Sequence, residues 1–172
     1  MLCVFIVELL MNKWFWLALV AIAILINLYV FGKKSVHQEM SIDASPAEVW
    51  KILTDFESIG LWNKVLIPIE GQLKEGEKVT YEFHQDSTSS SKIPALVKTL
   101  KAPELLNQTG GMRGILTFNH KYMLFTDGKG TRLIIHEEYR GIMVPFWNPK
   151  PVEKAYGRLA QSLKDRVTEL KK

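Results

Sequence analysis

The sequence is short of the residues and segments that several protein classes need. Cys3 is the one cysteine among 172 residues, which excludes a disulfide scaffold and gives no information on the redox compartment. A single long apolar block excludes a multi-pass transporter, and a hydrophobic content of 47% excludes intrinsic disorder. The chain has no HExxH motif and no paired cysteines, and the glycines of residues 110–114 lack phosphate-loop spacing. We therefore predict no metal, no nucleotide and no other cofactor.

The sequence also has no long run of residues with the same charge. The 22 basic residues slightly outnumber the 18 acidic ones, which gives a formal net charge of +4 and a pI near 9.1. Nearly all of them lie in residues 33–172, where the two signs are interleaved. Such interleaving is typical of a solvated surface, so we predict no nucleic-acid partner. The length predicts one globular domain and does not indicate the oligomeric state.

The apolar block occupies residues 14–31, which carry no charge. As a helix, this segment spans about 27 Å, enough for the hydrocarbon core of a bilayer. Lys13 precedes it, and Lys33 and Lys34 follow it, as is common at membrane surfaces. We predict that residues 14–32 form a retained helix of a single-pass membrane protein, which contacts the membrane through residues 14–31. A cleaved signal sequence is the alternative and would leave the domain secreted or periplasmic, although no small-x-small cleavage site follows the block.

Residues 1–13 are predicted to be an N-terminal extension. The stretch MLCVFIVELL makes the apolar region too long for one span, and Glu8 interrupts it. A misplaced start codon, with Met11 as the true start, is one explanation, and a short interfacial segment is another. With a start at Met11 the basic groups on the two sides of the span nearly balance, so the side of the membrane that holds the domain is left open.

Residues 33–172 are predicted to form one domain, which begins with a strand and two short helices. Residues 35–44 alternate between apolar and polar side chains, as a half-buried strand does. Ser45, Pro46 and Glu48 have the spacing of a capping box with proline at the first helical position. A second short helical turn follows and carries Trp62.

In the rest of the domain, apolar residues recur first at every second position, as in strands, and then with a period of 3.6 residues, as in a helix. Strands are predicted around residues 79–83 and 116–124, and the turn at residues 127–130 joins the second of these to another strand. The serine run at residues 87–91 is predicted to be a mobile loop. An apolar stripe from residue 152 to residue 170 predicts a long amphipathic helix that covers the sheet. The predicted class is α+β, with a curved antiparallel sheet of six or seven strands wrapped on the C-terminal helix.

The order of these elements and several short stretches are similar to those of one superfamily. The stretches are residues 42–50, 56–63, 103–106, 119–124, 130–141 and 163–169. With them the chain resembles the START-like, Bet v 1-like helix-grip superfamily (SRPBCC), in particular its polyketide cyclase/dehydrase-like branch, over residues 36–170. The resemblance implies a sheet that grips the C-terminal helix and a cavity between them, which in many relatives holds an apolar ligand. Members with one N-terminal membrane helix look similar to this chain.

The candidate site residues lie on the apolar faces of the predicted strands and beside the second helix. His120 lies on the apolar face of residues 116–124 and matches a histidine in the relatives' version of this strand. A histidine on a cavity wall can orient a polar group of a ligand or act as an acid or base. His136, Glu138 and Arg140 share a face that we predict to be exposed. The predicted ligand-binding residues are His120, Tyr122, Phe118, Tyr81, Phe83 and Trp62.

These features predict a membrane-anchored binding module. Its partner would be a hydrophobic or lipid-like small molecule held between the sheet and the C-terminal helix, without catalysis and with no catalytic residue assigned. An enzyme of the polyketide cyclase/dehydrase type, with His120 as acid or base, is one alternative. A structural or regulatory protein-interaction domain is the other.

Overall fold

The computed structural model describes residues 12–172, so the predicted extension falls largely outside the described residues. Helix α1 (Lys13–Phe31) begins after Asn12, whose side-chain oxygen accepts a hydrogen bond from the Trp14 N–H. Within the described part of the chain, α1 is the one helix that is long and apolar enough to cross a membrane. The same length and composition also fit a signal sequence.

Seven antiparallel strands form one sheet in the order β1-β7-β6-β5-β4-β3-β2. The strands are β1 (Lys33–Ile42), β2 (Leu66–Gly71), β3 (Lys78–His84), β4 (Ser90–Lys101), β5 (Leu105–Met112), β6 (Leu116–Asp127) and β7 (Gly130–Arg140). Strands β2 to β7 follow one another as a meander, and β1 pairs with β7. The predicted hairpin is the β6–β7 pair, which closes between Asp127 and Gly130. The predicted sheet of six or seven strands is thus confirmed.

The strand register places one end of the sheet beside the end of α1. Lys33 at the start of β1 lies opposite Arg140, which in turn lies opposite Thr117 of β6. Thr117 lies opposite Gly111 of β5. We call this end, marked by Lys33, Arg140, Thr117 and Gly111, the α1 end of the sheet. Ile42, nine residues along β1, marks the far end, about 30 Å away at the usual rise of an extended strand.

Two short helices follow β1, as predicted. Helix α2 (Pro46–Leu53) begins with a complete capping box, in which the Ser45 N–H donates to Glu48 Oε2 at 2.7 Å and the Glu48 N–H donates to Ser45 Oγ at 3.4 Å. This arrangement satisfies two backbone groups that a helix start would otherwise leave unpaired. Helix α3 (Ile59–Trp62) is a single turn.

The C-terminal helix α4 (Lys150–Glu169) covers one face of the sheet. A 3₁₀ turn (Val144–Phe146) leads into it. Leu159 and Leu163 of α4 are fully buried and belong to the same core as the inward side chains of β7. Leu170, the last residue of the predicted stripe, is exposed because α4 ends before it. The predicted α+β helix-grip architecture is confirmed, and the division of the chain at residues 13 and 32 stays a prediction.

Candidate functional site

A cavity of about 610 Å³ lies between the sheet and the first half of α4. Its size falls within the range of small-molecule sites, about 300–1,000 Å³. Strands β3 to β7 supply most of its wall, and Trp147, Val152 and Tyr156 close it from the helix side. Met112 and Lys92 are exposed members of the lining, so the cavity reaches the protein surface. The apolar lining residues are Leu66, Phe83, Ile93, Pro94, Ala95, Met112, Leu116, Phe118, Trp147 and Val152.

A buried carboxylate lies at the inner wall of this cavity. Alternation along β7 turns Leu133, Ile135, Glu137 and Tyr139 toward the core, so a carboxylate occupies a face that is otherwise apolar. Glu137 is 3% exposed, and its Oε2 accepts a hydrogen bond from the Tyr139 hydroxyl at 2.5 Å and another from the Tyr156 hydroxyl. The two tyrosine donors compensate a charge that would otherwise be costly to bury.

The surroundings of Glu137 favour its ionised form. Burial raises the pKa of its carboxyl, but the nearby His120 and the hydroxyls of Tyr139 and Tyr156 together outweigh burial and hold the pKa below its ordinary value. Burial, reinforced by the charge of Glu137, raises the pKa of both tyrosines well above the ordinary value, so both remain hydroxyl donors. The inner wall of the cavity therefore carries a fixed negative charge at neutral pH.

His120 is the polar group of the wall that has spare hydrogen-bonding capacity. It is 3% exposed, and its Nδ1 lies 3.6 Å from Glu137 Oε2, too far for a good hydrogen bond. The rings of Tyr122 and Tyr156 pack edge-on against the imidazole, with centroids 4.6 and 5.0 Å away. Neither imidazole nitrogen has a hydrogen-bond partner among residues 12–172. Buried polar atoms are normally paired, so this imidazole retains hydrogen-bonding capacity that a ligand can use.

A second polar pair lies on the same wall, farther along the sheet. The Gln108 side-chain N–H donates to the Tyr81 hydroxyl at 2.6 Å, and both residues line the cavity. Burial raises the pKa of Tyr81 to about 12, although the bond from Gln108 acts in the opposite direction. Tyr81 is therefore a neutral hydroxyl under ordinary conditions, and its own proton is free to be donated.

The structure brings four of the six predicted ligand-binding residues to this cavity. Tyr81, Phe83, Phe118 and His120 line it. Trp62 and Tyr122 instead line a separate void of about 20 Å³, beneath α3. That void is hardly larger than a water molecule requires.

The charged residues of the opposite face of β7 stay apart from the cavity. His136 and Glu138 lie beside each other, with 3.6 Å between His136 Nε2 and Glu138 Oε1, and both are only partly buried. Arg140 is exposed. In the described part of the chain, no three His, Cys, Asp or Glu side chains come together as metal ligands would.

Four polar residues of the cavity wall described above were not predicted, namely Glu137, Tyr139, Tyr156 and Gln108. A signal was present in the sequence, because the alternation that places His136 and Glu138 outside necessarily places Glu137 and Tyr139 inside. Their convergence with Tyr156 was not visible, since that residue lies on α4 and approaches only through packing.

The family relationship of the chain is shown by its sequence. The sequence model of the family described as "Polyketide cyclase / dehydrase and lipid transport" matches residues 33–168. No curated protein sequence matches the chain. The matched segment begins at the first residue of β1 and ends within α4, so it covers the whole sheet and its helix.

Solved structures with the same fold come from bacteria and plants. TTHA0849 from Thermus thermophilus superposes with a TM-score of 0.67 at 16% identity, over 81% of this chain and 100% of that one. SA2116 from Staphylococcus aureus, a protein of unknown function, gives 0.61 at 18% identity over 81% and 97%. A norcoclaurine synthase point mutant from Thalictrum, in complex with a transition-state analogue, gives 0.60 at 14% identity over 81% and 97%. At these identities the similarity establishes the fold.

Proposed function

Because the chain belongs to the polyketide cyclase/dehydrase and lipid transport family, we propose that it is a membrane-anchored binding module for an amphipathic small molecule. The apolar body of the ligand occupies the cavity between the sheet and α4, and its polar group binds His120. One observation carries the proposal: a buried imidazole without a hydrogen-bond partner among residues 12–172 lies on the wall of a largely apolar cavity.

The chemistry of the wall indicates the kind of polar group that fits. With Glu137 ionised, the tautomer that places the proton on Nδ1 is favoured, because this nitrogen faces Glu137 Oε2. The Nε2 atom of His120 is then left as an acceptor. A hydroxyl or a protonated carboxyl supplies the matching donor, whereas a second fixed anion would be repelled by Glu137.

The membrane part of the proposal rests on α1. A retained anchor keeps the domain at a bilayer, where amphipathic molecules with long apolar bodies are concentrated. Apolar surface that such a ligand buries in the cavity contributes about 25 cal/mol per Å², and the hydrogen bond to His120 fixes its orientation.

Native mass spectrometry of the full chain, extracted in detergent, tests for a ligand in the cavity. We expect the wild type to carry a bound mass that Ala95→Phe lacks, since Ala95 lines the cavity and the larger side chain fills it. Ala47→Phe, on the exposed surface of α2, is the matched control and should retain the mass. A wild type without adduct, or the same adduct in both variants, would refute the proposal.

The role of His120 is tested with a pair of probes that differ in one group. Dodecanol and dodecane share an apolar body, but the alcohol alone can donate a hydrogen bond. We expect His120→Phe to weaken binding of dodecanol about tenfold, the equivalent of one hydrogen bond, and to leave binding of dodecane nearly unchanged. Equal effects on both probes would show that His120 contributes only shape.

Acid–base catalysis is a second candidate, favoured by the distance of 3.6 Å between Glu137 Oε2 and His120 Nδ1. A carboxylate beside an imidazole orients the ring, as a base that removes a proton next to a carbonyl requires. α-Tetralone in D₂O is a direct probe, because proton removal and return replaces hydrogen by deuterium at the carbon next to the carbonyl. Exchange that persists in His120→Ala would refute this candidate.

A further inference from the structure

The domain is joined to α1 by a single residue. α1 ends at Phe31 and β1 begins at Lys33, so Gly32 is the whole link. The Gly141 N–H donates to the Gly32 carbonyl at 3.0 Å, and a Cβ on Gly32 would lie 2.1 Å from the Gly141 oxygen. Because no flexible linker intervenes, a membrane that holds α1 also holds the α1 end of the sheet at its surface.

Exposed apolar side chains are gathered at this same end. We call Met112, Ile115, Met143 and Phe146 the apolar end patch; each is between 41% and 71% exposed. They belong to the β5–β6 turn and to the segment between β7 and α4. The Met143 N–H donates to the Ile115 carbonyl at 3.1 Å, which ties the two segments together. Exposed large apolar side chains grouped in this way mark an interaction surface.

Basic residues surround the apolar end patch. Residues 31–38, 110–118 and 139–150 lie around the patch and contain no Asp and no Glu. At the same end of the sheet, the acidic residues are Glu138, on the outer face of β7, and Glu82 and Asp86 in the β3–β4 hairpin. The rest of the domain interleaves both signs, so the lack of acidic residues in the three segments is local. The basic residues of the three segments are Lys33, Lys34, Arg113, Arg140 and Lys150. Basic side chains around an apolar surface suit the headgroup region of an anionic membrane, which attracts them.

The mouth of the cavity opens in the same place. Met112 belongs to the apolar end patch and also lines the cavity, and Trp147, next to Phe146, lines the cavity and packs on the Tyr139 ring with 4.4 Å between centroids. The Lys34 ammonium donates to the backbone oxygens of Pro145 and Trp147 and so fixes this segment beside β1.

We infer that the apolar end patch lies in the interfacial region of an anionic bilayer, the one that α1 spans, and that the cavity takes its ligand directly from that bilayer. The inference rests on the proposed function for the presence of a ligand and of a retained anchor. The bilayer is the occupant that the charges favour, since a second copy docked on this face would bring two sets of five basic residues together.

Quenching by brominated lipids tests the location of the apolar end patch. The full chain, with Cys3→Ser to remove the native thiol, is labelled with NBD at Phe146→Cys and placed in phosphatidylcholine/phosphatidylglycerol vesicles. The control label is at Leu170→Cys, which is similarly exposed but lies near the far end, where the adjacent Lys171 ammonium binds the Asp43 carbonyl. We expect about a twofold loss of emission at position 146 and none at position 170, because an interfacial side chain lies near the acyl chains.

Either of two other outcomes would overturn the inference that the apolar end patch docks on the bilayer. A blue-shifted label at position 146 that brominated lipid does not quench means that a second copy or another protein covers the patch. An NBD label whose emission is the same as that of NBD in water means that the patch faces solvent. Loading is tested by uptake of a pyrene-labelled long-chain alcohol from the vesicles, which we expect to slow severalfold in Phe146→Asp and to be unchanged in Leu170→Asp. Equal rates in the two variants overturn loading through the patch.

Failure of the proposed binding function and failure of the membrane docking give different results. Ligand content is measured by mass spectrometry on protein from the same vesicles. Quenching at position 146 with an empty cavity refutes the binding function and supports the docking. A filled cavity with an unquenched label supports the binding function and overturns the docking.

Discussion

The substitution Glu137→Gln probes the energetics of the polar cluster under the cavity. Glutamine keeps the shape of the side chain and an oxygen that accepts from Tyr139 and Tyr156, but it removes the charge. Hydrogen bonds to a charged acceptor contribute about 1.5–3 kcal/mol, against about 0.5–1.5 kcal/mol for neutral ones. Two bonds that each lose about 1 kcal/mol lower the free energy of unfolding by about 2 kcal/mol at neutral pH.

The same reasoning gives a pH dependence with a definite sign. The pKa of Glu137 is lower in the folded state than its ordinary value of 4.5, so the folded state binds its proton less readily than the unfolded state does. The stability that the charge contributes is fully present above that ordinary value and is lost as the pH falls through the lower folded pKa. Glutamine cannot titrate, and the difference between wild type and variant must therefore shrink as the solution becomes acidic.

Thermal unfolding of the full chain in detergent, followed by near-ultraviolet circular dichroism, measures both effects. At neutral pH the loss of about 2 kcal/mol lowers the Tm by about 4–8 °C for a protein of this size. Glu138→Gln is the matched control, because Glu138 is the next residue of β7 and lies on the partly exposed outer face, 3.9 Å from the Lys121 ammonium. Its loss should stay below about 1 kcal/mol. A Glu137→Gln variant as stable as the wild type, or a difference that stays constant on acidification, would refute the reasoning.

Three further substitutions test the packing and the helix start, each by denaturant unfolding of the full chain. Ser45→Ala removes the hydroxyl that accepts the Glu48 N–H and should cost about 1 kcal/mol, whereas a cost near zero would show that the capping box is dispensable. Leu163→Ala empties a fully buried position of α4 and should cost about 2–5 kcal/mol; a smaller loss would mean that the helix is loosely packed. Gly32→Ala forces a methyl group against the Gly141 carbonyl and should cost about 1–3 kcal/mol, and an unchanged stability would show that the junction yields freely.

Local sequence patterns were sufficient to predict most of the fold. Ser45, Pro46 and Glu48 predicted the start of α2 because a capping box is satisfied within four residues and needs no distant partner. The inward faces of β3 and β6 followed from alternation for the same reason. The serine run at residues 87–91 was predicted to be a loop, but β4 begins at Ser90, inside that run. The start of β4 is decided by its pairing with β3. Small polar residues such as serine give no sign of this pairing in the sequence.

The polar cluster was harder to predict than the sheet. The sequence places Glu137 on the inner face of β7, yet a charged residue between His136 and Glu138 belongs to a run that is typical of an exposed strand. What keeps Glu137 charged in the core is the nearby His120 of β6 together with two hydroxyls, one from Tyr139 of the same strand and one from Tyr156 of α4. These contacts depend on the tertiary structure, so the period of the hydrophobic residues in the sequence does not predict them.

The cavity itself owes its volume to side chains that are small. Ala95 and Gly111 lie on its wall, and a larger side chain at Ala95 would occupy part of that volume. Gly111 has a φ of +90°, a conformation that side chains rarely adopt, and a Cβ there would lie 2.3 Å from the Leu116 oxygen. A strand pattern is the same whether the space above it is filled or empty, so the hydrophobic period predicts the apolar wall and not the void. The pairing of His120 is equally hidden from the pattern, because whether a buried imidazole finds a hydrogen-bond partner depends on side chains that packing brings from other elements, and none of residues 12–172 supplies one.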